Sequence, residues 1–188
     1  MILDLKTGLI RGVPYFASPN CDDRPQGISI SAIIVHSISL PPGQYPDCSN
    51  DDHPVALFFQ NRLPAHEHPY FAEIAALNVS SHLFIRRSGA LLQMVPLTKR
   101  AWHAGESYCN GRTSVNDFSI GIELEGWDEG HDGFTDLQYQ SLQNVLNLLY
   151  DSLASLDHNC VFAHSDIAPG RKNDPGPYFD WSKTLTHV

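Results

Sequence analysis

The residues best suited to chemistry lie near the end of the chain. From Phe162 the sequence runs Phe-Ala-His-Ser-Asp-Ile-Ala-Pro-Gly-Arg-Lys-Asn-Asp-Pro-Gly-Pro, so an imidazole, His164, is followed one loop later by a carboxylate, Asp174. Pro169, Pro175 and Pro177 fix φ and lower the entropy lost on ordering that loop, as suits a loop that must hold a carboxylate still. Far upstream, His36 could supply a second imidazole from near the end of the apolar run Ala-Ile-Ile-Val-His-Ser-Ile. Two histidines and one aspartate with an open fourth position form a catalytic zinc pattern, in which bound water reaches a pKa of about 7. On spacing alone the zinc reading stands level with a plain one, a capped turn whose aspartate accepts backbone hydrogen bonds. His36 by itself reads as a satisfied core residue.

Such a site also needs a proton acceptor and a positive charge. In Gly121-Ile-Glu-Leu-Glu-Gly126, alternation puts Ile120, Ile122 and Leu124 on one strand face and Gly121, Glu123 and Glu125 on the other. Two carboxylates opposite an apolar stripe usually mean a solvated surface. If that face looks toward a metal, either could take a proton from water, and alternation does not choose between them. Lys172, two positions before Asp174, is placed to stabilise the oxyanion of a tetrahedral intermediate; its plain alternative is a surface lysine.

Several elements must position these groups. Ser31 to Ile38 is rich in β-branched residues and reads as a buried strand. Ser80 to Arg87 and Ala90 to Val95 flank Ser88-Gly89 and read as a hairpin. Phe118 to Glu125 is a further strand and Asn159 to His164 a short one. Pro69 to Leu77 reads as a helix with proline at an acceptable early position. A longer helix is predicted from about Asp136 to Leu156. Thr135 and Gln138 have the spacing of a capping box, and Leu142, Val145, Leu146, Leu149 and Leu153 repeat on one face. Strands mixed with helices point to an α/β or α+β class with a mixed sheet. The stretch from Leu40 to His68 carries Pro41, Pro42, Pro46, Pro54 and Pro64 and little periodicity. A loop that long suggests a wall or lid over the site.

Composition bounds the function. The 188 residues fit one domain, with a core expected over about residues 31–182. A net charge of −9 argues against nucleic-acid or anionic-membrane partners. Cys21, Cys48, Cys109 and Cys160 are far apart and form no C-x-x-C pair, which favours free thiols in a reducing compartment. Met1-Ile-Leu-Asp-Leu-Lys-Thr-Gly lacks the pattern of an export signal, so a cytoplasmic location is the expectation. No obligate protein partner is implied.

Six blocks then carry a resemblance. They are VHSISLPPG (35–43), HPYFAEI (68–74), VSSHLFIRRSG (79–89), KRAWHAG (99–105), NDFSIGIELEG (116–126) and the AH…APGRKNDPGP tail (163–177). Together they resemble the zinc N-acetylmuramyl-L-alanine amidases, over about residues 31 to 182. The resemblance implies an α/β fold with a central mixed sheet flanked by helices, shared with peptidoglycan-recognition proteins and phage amidases. It implies a Zn2+ site of His36, His164 and Asp174, with Glu123 rather than Glu125 working on the water and Lys172 assisting. The implied substrate is an anhydromuropeptide, cut between the lactyl group of anhydro-N-acetylmuramic acid and L-alanine. The implied role is recycling of wall fragments, with indirect control of β-lactamase induction.

Tyr45, at the start of the long loop, is offered as a counterpart of a tyrosine near the metal in one relative. Trp102 is a candidate to stack on a sugar and Arg112 to bind a peptide carboxylate with its fork; core packing and solvent exposure are their plain alternatives. His82 and His103, both inside the blocks, read as structural or pocket-lining. Two rivals remain: a recognition module that binds a muropeptide without cutting it, and an exported amidase acting on intact wall.

Overall fold

A computed structural model describes residues 1–184. Its centre is a five-stranded mixed sheet built from β1 (Ala32–Ile38), β2 (Leu83–Ile85), β3 (Leu91–Gln93), β4 (Ser119–Glu125) and β5 (Val161–Ala163), in the order β5-β1-β4-β2-β3. The first four of that order run parallel, and β3 returns antiparallel beside β2. Interior parallel strands are covered on both faces and so read as near-continuous apolar runs, as Ala-Ile-Ile-Val does in β1. The expected hairpin forms, but with only three residues per strand. Gly89, at φ +80°, turns it, and that left-handed conformation is open to glycine at no steric cost.

One face of the sheet packs on α3 (Asp136–Ser152). Ile33, Val35, Ile120, Ile122 and Leu124 meet Leu142, Val145, Leu146 and Leu149 in one apolar cluster. Thr135 and Gln138 form the expected capping box. The helix ends at Ser152, short of the expected Leu156. The chain turns there, and Leu156 is buried from outside the helix.

The other face carries two separate clusters. Toward β3, Phe84, Leu92 and Met94 pack against α1 (Pro54–Phe59) and against Phe71 of α2 (Pro69–Ile74). Toward β5, Ala32 and Ile34 pack with Ala104, Val115, Phe118 and with Ile167 of the short α4 (His164–Ile167). The gap between them, at the carboxyl ends of β1, β4 and β5, is where open parallel sheets place their ligands.

Sequence periodicity did not anticipate α1. It lies inside the proline-rich stretch, with Pro54 in its first turn and His53 Nδ1 accepting from the Val55 amide as N-cap. The N-terminal thirty positions also carry structure that the sequence left unassigned. Ile2–Asp4 pairs with Leu9–Arg11, and Cys21–Asp23 pairs with Lys99–Ala101. No described helix is long and apolar enough to cross a membrane.

Candidate metal centre

Parallel pairing sets the floor of the site. In the β1–β4 register His36 stands opposite Glu123, so imidazole and carboxylate rise from adjacent strands on the same face. His164 follows β5 directly, at the start of α4. The loop after it is closed where the Ser165 amide donates to the Asp174 carbonyl at 3.0 Å, which returns Asp174 to the strand end. Arg171 pins that loop from outside by donating to the carbonyls of Ala104 and Glu106, both at 2.6 Å.

Three donor atoms converge as a result. His36 Nδ1 and His164 Nδ1 are 2.9 Å apart, and Asp174 Oδ2 lies 3.2 Å from the first and 3.0 Å from the second. All three residues are buried. Burial disfavours the imidazolium of His36 and draws its pKa down to about 4. Burial pushes the Asp174 carboxyl up, but the close contacts with the His164 and His36 imidazoles outweigh it and hold the carboxyl well below the usual range. The group is thus two imidazoles and an ionised aspartate, the composition of a divalent-cation site.

Glu123 and Glu125 have different fates. Glu125 is occupied: its Oε1 accepts from His53 Nε2 at 2.9 Å and its Oε2 from the Arg87 amide at 2.8 Å. Glu123 lines the cleft, and its Oε2 is buried without a hydrogen-bond partner. Burial raises its pKa well above the ordinary glutamate value, the Asp174 charge adds to this, and Lys172 opposes it. The face that alternation alone would leave to solvent is therefore enclosed by the 40–68 segment and the tail.

The cleft above these groups has a volume of about 570 Å³, within the range of small-molecule sites. Phe58, Phe59, Tyr70 and Ile74 of α1 and α2 form one wall, so the long proline-rich stretch is a wall of the site. Trp102, Trp127, Arg171 and Lys172 also line it. Lys172 is exposed at the rim. Trp102 is half-buried and donates from Nε1 to Asp22 Oδ1 at 3.2 Å. Two candidates are not brought here. Arg112 is exposed and stacks over the Phe118 ring at 3.7 Å, and Tyr45 lies under the Arg87 guanidinium at 4.6 Å. Neither borders the cleft.

His82 is fully buried. Its Nδ1 accepts from the Gly121 amide at 3.0 Å, a structural contact between β4 and the chain entering β2. His103 lies beside the cation site, 2.9 Å from His36 Nε2. Burial, with His36 and His82 next in effect, keeps its ring neutral. Its position in KRAWHAG marked it as structural or pocket-lining but carried no sign of a partner on another strand.

A family model described as N-acetylmuramoyl-L-alanine amidase matches residues 26–177. The 1,6-anhydro-N-acetylmuramyl-L-alanine amidase AmpD of Haemophilus influenzae is 45% identical over 187 residues, covering 100% of this chain and 98% of that one. A crystal structure of a selenomethionine AmpD derivative has a TM-score of 0.89 at 44% identity, over 98% of this chain and 97% of the other. The E. coli amidase AmiD, solved with anhydro-N-acetylmuramic acid-L-Ala-D-gamma-Glu-L-Lys, gives a TM-score of 0.60 at 27% identity, over 86% of this chain and 59% of that one. These matches span the sheet, the cleft and the His36–His164–Asp174 cluster, and the chain belongs to the N-acetylmuramoyl-L-alanine amidase family.

Proposed function

We propose that this chain hydrolyses the amide between the lactyl group of 1,6-anhydro-N-acetylmuramic acid and the L-alanine of a muropeptide, using zinc. One observation carries the reading: in a chain of this family, His36, His164 and Asp174 converge beside a buried Glu123 at the base of an open cleft. The donor set fits zinc, which takes imidazole nitrogen and carboxylate oxygen in such sites. Three electron-rich atoms about 3 Å apart are poorly matched by each other and well matched by a shared cation. Zinc held there supplies Lewis-acid polarisation of the scissile carbonyl and makes water a better nucleophile near neutral pH.

The chain's own groups divide the remaining work. Glu123 takes a proton from the attacking water and returns it to the alanine nitrogen as the C–N bond breaks, a base that becomes an acid. Burial keeps its proton affinity high enough for the second half of that exchange. Lys172 places an ammonium charge near the carbonyl oxygen that becomes anionic. Trp102 offers a flat apolar surface to a sugar ring, while Arg112 and Tyr45, outside the cleft, take no part. The four thiols are free, as suits a reducing compartment, and recycling of wall fragments in the cytoplasm belongs to the same proposal.

The test is mass spectrometry of a purified anhydromuropeptide incubated with the protein, with and without chelator. Cleavage into anhydro-N-acetylmuramic acid and free peptide, abolished by chelator and restored by zinc, is expected. Asp174→Ala should lose metal and activity together. Glu123→Ala should keep metal and lose turnover by about 10²–10⁴-fold. Intact substrate in the presence of the zinc-loaded protein would leave a recognition module instead.

A further inference from the structure

We propose that His103 is a positioning residue that holds His36 in the tautomer a cation requires, its own tautomer being set by Ser119. The inference rests on the zinc reading above and follows from counting protons along one chain of contacts. The Val115 carbonyl can only accept, and Ser119 Oγ lies 2.7 Å from it, so the single hydroxyl proton is directed there. Ser119 Oγ, 3.1 Å from His103 Nε2, is left as an acceptor, which puts the proton of the neutral His103 ring on Nε2. His103 Nδ1 then holds a lone pair and accepts from His36 Nε2–H at 2.9 Å. The lone pair of His36 is therefore on Nδ1, the atom that faces His164 and Asp174.

His164 reaches the same state by a shorter route. Its Nε2 lies 3.3 Å from the Ala104 carbonyl, an obligate acceptor, which leaves Nδ1 unprotonated. Residues 103 and 104 thus serve both imidazoles from outside, and the fold holds that pair in place. Asn116 Oδ1 accepts from both of their amides, at 3.2 and 2.8 Å. The Arg24 guanidinium ties down the turn carrying Asn116 and Ser119 by donating to the carbonyls of residues 116, 117 and 119. Gly121 supplies the floor. A Cβ there would lie 2.6 Å from His103 Cγ, so the ring can settle on β4 only because that position has no side chain.

Hydrogen bonds to the far nitrogen of a ligating imidazole typically contribute 10–100-fold in metal affinity. Competition titration of zinc against a chromophoric chelator should show His103→Ala binding zinc 10–100-fold more weakly than the wild type, with His103→Gln, whose amide oxygen can accept, recovering part of the loss. Long-range ¹H–¹⁵N spectra of the zinc-loaded wild type should show His36 and His103 each protonated at Nε2. That spectrum needs no variant, so it decides the matter even if His103→Ala fails to fold. A His103 ring protonated at Nδ1, or His103→Ala binding zinc within twofold of the wild type, overturns the role of His103 alone. A wild-type protein that binds no zinc overturns the parent reading and this one with it.

Discussion

Glu123 and Glu125 sit two positions apart on one strand, yet only one is available for chemistry. Both oxygens of Glu125 are taken by His53 and the Arg87 amide, whereas Glu123 Oε2 has no partner. A period of two assigns side chains to a face but says nothing of what covers it, so alternation left the pair unresolved. An orphaned, desolvated carboxyl has a consequence that can be measured without substrate. A carboxyl whose pKa is raised by folding binds its proton more tightly in the folded state, so it contributes stability in acid. That contribution is lost as pH rises from the ordinary value of 4.5 through the raised one. In chelator, the wild type should lose up to about 1.4 kcal/mol per pH unit across that window from this group. Glu123→Gln keeps the neutral shape, so its Tm should match the wild type near pH 4 and exceed it by several degrees above neutrality. Parallel Tm–pH curves for the two proteins would show that Glu123 titrates normally.

At the scale of elements, the strands and the long helix were legible because they repeat. β1 and β4 are unbroken apolar or alternating runs of seven residues, and α3 carries a full capping box and about three turns of one buried face. The six-residue α1 is too short to show a period, and the prolines around it disguised it as loop. Its sequence signal was chemical: an N-capping side chain, His53, directly before a proline at a position where the missing amide does no harm. The same His53 bonds Glu125 through its other nitrogen, joining the cleft wall to β4 with a side chain that is fully buried. His53→Ala should therefore act twice. Loss of the cap removes about 1 kcal/mol, and leaving Glu125 Oε1 buried without its donor removes about 1–3 kcal/mol more. Together these should lower Tm by roughly 5–15 °C at the sensitivity expected for this size. Because Phe58 and Phe59 line the cleft from the same helix, KM for a muropeptide should rise as well. A thermal melt and a KM both unchanged would mean that α1 is held by its apolar contacts alone.

The three converging donors come from strand β1 and from the two ends of a loop near the other end of the chain. Spacing could suggest His164 with Asp174, because a ten-residue separation with Pro169 inside it and Pro175 and Pro177 just beyond makes a plausible returning loop. It could not bring in His36, which is 128 residues away and arrives only because β5 pairs with β1 in parallel, Ala163 beside Val35. Since the site exists only when that pairing exists, a cation bound there binds the folded state and not the unfolded chain. Its free energy of binding then adds to folding as RT ln(1 + [ion]/Kd), about 2.7 kcal/mol at one hundred times Kd. For a protein of this size that corresponds to a rise in Tm of roughly 5–10 °C. Zinc at that excess should raise the melting temperature of the chelator-stripped protein by this amount, magnesium should not, and Asp174→Ala should abolish the shift while leaving the sheet's circular-dichroism signature intact. The ion would be closing a contact between segments distant in sequence that the chain otherwise holds with two imidazoles and one buried charge. Equal melting temperatures with and without zinc would mean that the three groups are held for some purpose other than gripping a cation.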